Sequence, residues 1–201
     1  MAKSRVYLKK TATGKLAEAI LLDEVSDVHL MMWNDTWKPA MEKYCASNLF
    51  QDKPEDEHWN WRKKANGWRS MLGYHSFALV CEDELQGLML ASDFQSARLP
   101  VQFGKPMVFV EFLAAAPWNR IEFQNPRKYI GVGSVMILAA VELSAGLGYH
   151  GRIGLCSLPA AEAFYKTKCG MSELGKDAAH ENLMYYEMTE QQAEAFRAKK
   201  P

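Results

Sequence analysis

The sequence predicts one α+β domain, and three observations predict it. Short strand-like segments joined by tight turns come first, and a strand–helix–strand–helix–strand order follows. One segment, "PMVFVEFLAAAP", is apolar enough to run through the middle of a sheet. With no internal repeat, low-complexity stretch or linker, residues 1–201 read as a single domain.

Taken in order, "RVYLKK" and "KLAEAILLDEV" flank "TATG" as strand, turn and strand. "VHLMMWNDTWKPAMEKYCASNLF" has a helical pattern, bent or broken near Pro39, which lacks an N–H and crowds the preceding turn. "EDEHWNWRKKANGWRSML" also reads as helix, with Asn66-Gly67 as an interruption. "HSFALVCED" and "LQGLMLASDF" are strands joined by an acidic turn, and "PMVFVEFLAAAP" is the central strand. A loop from Pro117 leads to a long apolar helix ending near Gly146 or Gly148. "GRIGLCSL" is then a strand, and "PAAEAFYKTKCG" a short helix with Pro159 in its first turn and Gly170 at its end. "ENLMYYEMT" closes the sheet, and "EQQAEAFRAKK" is an exposed terminal helix.

Composition narrows the function. The 24 basic and 24 acidic side chains cancel, so no global field draws in nucleic acid or anionic lipid. Arg62, Lys63, Lys64 and Arg69 follow Glu55, Asp56 and Glu57, which suits a solvated face. The start "MAKSRVYLKK" has no apolar core of a secretory signal, and Ser134, Glu142 and Ser144 argue against a membrane span in the longest apolar run. Cys45, Cys81, Cys156 and Cys169 form no CxxC pair, and the five histidines are scattered. Reduced thiols, a cytoplasmic setting and no metal site are therefore expected. Self-association into a homodimer stays open.

The head of the long helix poses the chemical question. "RKYIGVGSVMILAAVELSAG" places Gly131, Gly133 and Ser134 where an apolar helix begins, although glycine costs about 1 kcal/mol inside a helix. Two things could offset that cost: close packing on a strand, or free backbone N–H groups that receive an anion such as a phosphate.

The order strand, loop, Gly-x-Gly, apolar helix, strand and Tyr-bearing helix resembles the GNAT superfamily of acetyl-CoA-dependent N-acyltransferases. "KYIGVG" matches the family's Arg/Gln-x-x-Gly-x-Gly/Ala signature, with Lys128 in the first position. "VEFLAAAP" matches the strand before it, and "AAEAFYKTKCGM" the later helix. The resemblance covers about residues 75 to 190. Lys128, Leu158 and Met171 depart from the family's preferred residues, and the loop "WNRIEFQNPRKY" is longer than usual.

The resemblance implies a GNAT-like domain with a mixed, mostly antiparallel central sheet flanked by helices, whose central strands splay apart. Residues 1–70 would form the acceptor-side helices and 75–190 the acetyl-CoA-binding core. It implies a pyrophosphate cradle on Lys128, Tyr129, Ile130, Gly131, Val132, Gly133 and Ser134, and pairing of the pantetheine arm with Leu113, Ala114 and Ala115. Tyr165 becomes the proton donor to the leaving thiolate, or else a core tyrosine. Glu111, the only carboxylate in the central strand, is the candidate base, or else a structural side chain. His75 and His150 are weaker candidates. Cys156 has no accompanying His/Asp pattern in the sequence and reads as a buried thiol. Trp33, Trp37 and Trp118 are where acceptor specificity is expected, although a helical aromatic stripe also suits a core. The loop after Pro117 borders the acceptor entrance or a partner contact, or covers the sheet edge.

The function that follows is direct transfer of acetyl from acetyl-CoA to a primary amine of a small molecule or a protein. Two alternatives remain: a toxin-type enzyme acetylating aminoacyl-tRNA, against which the neutral charge counts, and a catalytically idle CoA-binding or regulatory protein.

Overall fold

Alternating and continuous apolar runs become nine strands in a computed structural model of the protein, which describes residues 3–48, 53–69 and 71–199. They are β1 (Lys3–Lys10), β2 (Leu16–Leu22), β3 (Tyr74–Cys81), β4 (Glu84–Ser96), β5 (Pro106–Ala115), β6 (Tyr129–Ile130), β7 (Ile153–Ser157), β8 (Ser172–Asp177) and β9 (Leu183–Met188). The α-helices are α1 (Asp27–Met32), α2 (Lys38–Ser47), α3 (Trp61–Trp68), α4 (Val132–Gly146) and α5 (Glu190–Ala198). Positions 49, 50, 70 and 200 of the expected helices lie outside the described residues. The strands follow the order β6-β1-β2-β3-β4-β5-β7-β9-β8 in a mixed, mostly antiparallel sheet. Backbone proximity divides the chain into two compact units, one of Met1–Met71, Ser76–Met89 and Leu113–Gly133, the other of Leu72–His75, Leu90–Phe112 and Ser134–Pro201.

In the first unit, β1 and β2 form the expected hairpin, in register from Lys3 opposite Leu22 to Lys9 opposite Leu16. Ala17 and Ala19 turn inward, whereas Leu16 and Glu18 face solvent, as the two-residue period of a half-buried strand requires. The first helical segment is not broken at Pro39; its irregularity falls just before it. Trp33–Trp37 is a wide π-type turn, in which the Lys38 N–H reaches back to the Trp33 carbonyl. Pro39 cannot donate to the carbonyl four residues earlier, so a widened turn just ahead of it accommodates the missing bond. α3 starts later than expected because the Asn60 side chain accepts from the Lys63 N–H at 2.9 Å and caps it there. Asn66 and Gly67 do not interrupt it.

The loop after β5 is braced rather than loosely laid on the surface. Gln86 is fully buried, and its Oε1 accepts from Trp118 Nε1 at 2.9 Å and Asn119 Nδ2 at 2.8 Å. Asn119 Oδ1 in turn accepts the Tyr129 N–H at 3.0 Å, and Arg120 pairs with buried Asp56 at 2.7 Å. The base of this loop therefore belongs to the core, which corrects the expectation that it only borders an entrance. Ile121, Glu122 and Gln124 to Arg127 remain exposed. Two residues of that loop also add a strand, β6, which pairs with Lys9 and Lys10 of β1 and is too short to leave a periodic signal in the sequence.

In the second unit, Met107, Val108, Phe109 and Val110 of β5 are all buried, as an apolar central strand should be. β7 pairs with β9 and β8 with β9, both antiparallel. β8 escapes the sequence pattern because "SELGKD" is polar and interrupted between Glu173 and Gly175 by a register shift. Within α4, Met136, Ile137, Ala140 and Val141 are fully or almost fully covered. Glu187, fully buried, accepts from Tyr185 Oη at 2.8 Å, Gln102 Nε2 at 2.9 Å and the Leu99 N–H at 3.0 Å.

Replacing Gln86 with Ala leaves the Trp118 and Asn119 donors unpaired in the interior. We expect a loss of about 2–4 kcal/mol in urea unfolding. A loss below about 0.5 kcal/mol would mean that Gln86 does not hold this loop.

Candidate active site

The polar chemistry of the second unit begins where β5 and β7 stop pairing. Their parallel ladder joins Val108 to Ile153, Phe109 to Gly154 and Val110 to Leu155. The next residue of β5 is Glu111 and the next of β7 is Cys156, so a carboxyl and a thiol follow the last apolar pair at the same level. Ser92 Oγ donates to Glu111 Oε1 at 2.9 Å. Burial pushes the Glu111 carboxyl above the usual range, against the opposing effects of the Ser92 hydrogen bond and His180. A group with that shift holds a proton more readily near neutrality, as a base requires.

His180 is the neighbour that sequence reasoning missed. It ends the short turn after β8, and its Nδ1 lies 3.1 Å from Asp177 Oδ2. Asp177 is buried, and it also receives Arg98 Nη1 at 2.6 Å and the Ala179 N–H at 2.9 Å. Burial opposes its charge, but the Ala179 amide, Arg98 and His180 outweigh that and hold its pKa below the usual value. The carboxylate is therefore ionised and accepts from the His180 Nδ1–H, the tautomer that in a neutral ring places the lone pair on Nε2.

Cys156 completes the group, because its Sγ, a ring nitrogen of His180 and an oxygen of Asp177 all lie within 4.8 Å of one another. The expectation that no His/Asp pair accompanies Cys156 is corrected: Asp177-x-x-His180 was the available signal, but nothing in the sequence ties it to residue 156. Burial, with Asp177 next, pushes the Cys156 thiol up to about 12. These side-chain types also bind metal ions, against the expectation from scattered histidines. However, the Asp177 oxygens already accept three hydrogen bonds, and the Arg98 guanidinium beside them repels a cation. His75 pairs instead with Asp93 at 2.9 Å, and His150 with Glu190 at 3.3 Å on the surface.

At the head of α4, Gly131 has φ +106°, a conformation that side-chain-bearing residues rarely adopt, and a Cβ there would meet only Leu8 Cδ2 at 3.7 Å. Backbone conformation, not close packing, demands this glycine. Val132 is buried, and Gly133 and Ser134 are half-buried. Tyr129 is not a free donor, because its N–H goes to Asn119 and its hydroxyl to Glu82 at 2.6 Å. Lys128 forms an ion pair with Glu84, and Ile130 pairs with Lys9 of β1. The expected cradle is thus shortened to residues 131–134, since its first part is committed within the protein. On β5, Ala114 is buried and Leu113 and Ala115 are half-buried.

Tyr165 is buried in a π-type segment, Phe164–Cys169, which Gly170 closes at φ 72°. Its ring lies near those of Phe164 and Tyr186, and burial raises its pKa. Trp33 and Trp37 are 7% and 1% exposed, and Trp37 Nε1 donates to the Leu85 carbonyl at 3.0 Å. Their rings are core, which corrects their assignment to an acceptor pocket: the π-type turn directs both inward. Trp118 does border an opening, a cavity of about 290 Å³ lined also by Lys43, Tyr44, Ser47 and Phe123.

The fold that carries these residues is a known one. The GNAT domain of S. lividans PAT aligns over 92% of this chain and 96% of its own, with 14% identity and a TM-score of 0.54. The PaiA N-acetyltransferase of Thermoplasma acidophilum, solved in complex with coenzyme A, aligns over 85% and 98%, with 12% identity and a TM-score of 0.55. The chain therefore has the GNAT acetyltransferase fold. No protein-family model matches the sequence, and no curated protein does. Among the described residues, no helix is long and apolar enough to cross a membrane.

Asp177 offers a test of the cluster through pH. Its folded pKa lies below its unfolded value of about 3.9, so its stabilisation is present above that pH and is lost as pH falls through the folded pKa. The stability gap between wild type and Asp177→Asn, from urea unfolding, should be widest near pH 7 and shrink below about pH 4. A gap that stays constant with pH would remove the carboxylate from this role.

Proposed function

We propose that this protein is an acetyl-CoA-dependent N-acetyltransferase that moves an acetyl group directly to a primary amine of a small molecule or a protein. One observation carries the reading: the β5–β7 ladder stops at Val110, and β5 continues to Ala115 beyond its parallel pairing. An extended ligand arm can add to such a strand as another strand would. The GNAT fold, and the coenzyme A held by a protein that shares it, support the same reading.

In this reading the pantetheine arm pairs with Leu113, Ala114 and Ala115. The pyrophosphate rests on the amides of Gly131, Val132, Gly133 and Ser134, at the positive end of the α4 dipole. The arm then runs back along β5, so its thioester end comes toward Glu111. Glu111 takes the proton from the acceptor amine, and backbone N–H groups near Leu113 hold the tetrahedral oxyanion. Tyr165 donates a proton to the departing CoA sulfur. Of the three tryptophans expected on the acceptor side, Trp118, with the cavity it borders, keeps that role in this reading.

Release of CoA from acetyl-CoA, followed with a thiol reagent against pooled amines, peptides and charged tRNA, tests this function. Transfer to an amine or a peptide is expected. Transfer only to charged tRNA, or CoA binding without turnover, would replace the reading with one of the two alternatives.

Ser134→Glu tests the cradle without disturbing the helix, because a carboxylate at a helix start is favourable by about 0.3–1 kcal/mol. CoA affinity in calorimetry should fall at least about tenfold through repulsion of the pyrophosphate, with thermal stability maintained. Unchanged affinity would refute the cradle.

Tyr165→Phe should lower kcat by about ten-fold to a thousand-fold with a small change in CoA binding. Wild-type turnover would return Tyr165 to the core. Because Glu111 is shifted upward, the acid limb of kcat/KM should lie above the ordinary Glu value of about 4.3, and Glu111→Gln should abolish it.

A further inference from the structure

Cys156 occupies a chemically unusual position for a thiol that direct transfer does not use. It is the first residue of β7 past the ladder with β5, at the level of Glu111. His180 and Asp177 lie beside it, and Arg98 anchors Asp177. Thiol, imidazole and carboxylate are the residue types of an acyl-transfer triad, and here one atom of each lies within 4.8 Å of the other two.

We propose that Cys156 is itself an acetyl acceptor, so that acetyl-CoA bound without an amine transfers its acetyl group to the Cys156 sulfur. The inference rests on the acetyl-CoA reading above. As Sγ attacks the thioester carbonyl, the Sγ–H proton passes to His180 and the new sulfur–carbon bond forms. The carbonyl-to-CoA-sulfur bond then breaks, and the imidazolium returns the proton to the CoA thiolate. One thioester replaces another, so the exchange is close to thermoneutral and excess acetyl-CoA drives it forward.

Asp177 is a positioning residue here: it fixes the Nδ1–H tautomer and stabilises the imidazolium. The raised thiol pKa does not oppose the step. The serine of a Ser-His-Asp triad is also protonated at rest, and loses its proton to histidine only as the bond forms. A resting thiol of this kind should react slowly with iodoacetamide at pH 7 yet accept acetyl from a bound thioester, a contrast that a simply exposed cysteine would not give.

The test uses the full chain with acetyl-CoA and no amine, acid quenching and peptide mass spectrometry. We expect one acetyl group on the Cys156 peptide, removable by neutral hydroxylamine as a thioester is and a lysine amide is not. Cys156→Ala should lose it. His180→Gln should slow its formation by about 10²-fold or more while CoA affinity in calorimetry is kept. The wild-type peptide decides the question even if a variant fails to fold. Bound CoA with an unmodified Cys156 overturns the proposal, as does equal acetylation of half-buried Cys45, or a wild-type rate in folded His180→Gln. In the first case CoA binding still stands in calorimetry, so the acetyl-CoA reading survives. A protein that binds no CoA overturns both.

Discussion

The pairing of Val108–Val110 with Ile153–Leu155 is only three residues long, yet the site of the second unit depends on it. Parallel strands bury both faces, and here β5 is apolar from Met107 to Val110, with Ile153 and Leu155 equally covered. The register places the end of that apolar stretch at the same level on both strands. Glu111 and Cys156 are therefore neighbours by construction. A slip of one residue in this register would put Glu111 and Cys156 on opposite faces of the sheet.

Each unit contains one buried polar side chain that organises a loop. Gln86 collects Trp118 and Asn119 in the first, and Glu187 collects Tyr185, Leu99 and Gln102 in the second. In an interior of low dielectric constant such groups are stabilising only when fully paired, and each loses much if one partner goes. Both stand on strands and draw irregular chain onto the sheet.

Much of the fold was legible because the relevant signals are local. Alternation marks β1 and β2, a continuous apolar run marks β5 and α4, and Gly170 marks the end of the segment that carries Tyr165. What stayed hidden depends on partners distant in sequence or on too few residues. β6 has two residues, β8 is polar, and the turn Trp33–Trp37 widens because of a proline outside it. The site divides in the same way. Glu111 was conspicuous as the lone carboxylate of an apolar strand, and Gly131 as a glycine at a helix head. The Asp177–His180 pair was not, because its meaning comes from Cys156 about twenty residues earlier and Glu111 earlier still. The tryptophan stripe had two readings of equal form, and burial chose the core for Trp33 and Trp37.

The charges around Glu111 show how one small site can hold two proton acceptors without conflict. Arg98 neutralises Asp177, so the ionised carboxylate stabilises an imidazolium on His180 without adding net negative charge beside Glu111. Among the described residues Glu111 has only the Ser92 hydroxyl as a hydrogen-bond donor, and burial leaves it readier to take up a proton. Glu111 suits an amine that arrives with a proton to lose, and His180, held by Asp177, suits the thiol already present. On the proposed reading, β5 and β7 would thus carry, at one level, a base for an acceptor from outside and a thiol acceptor built into the chain.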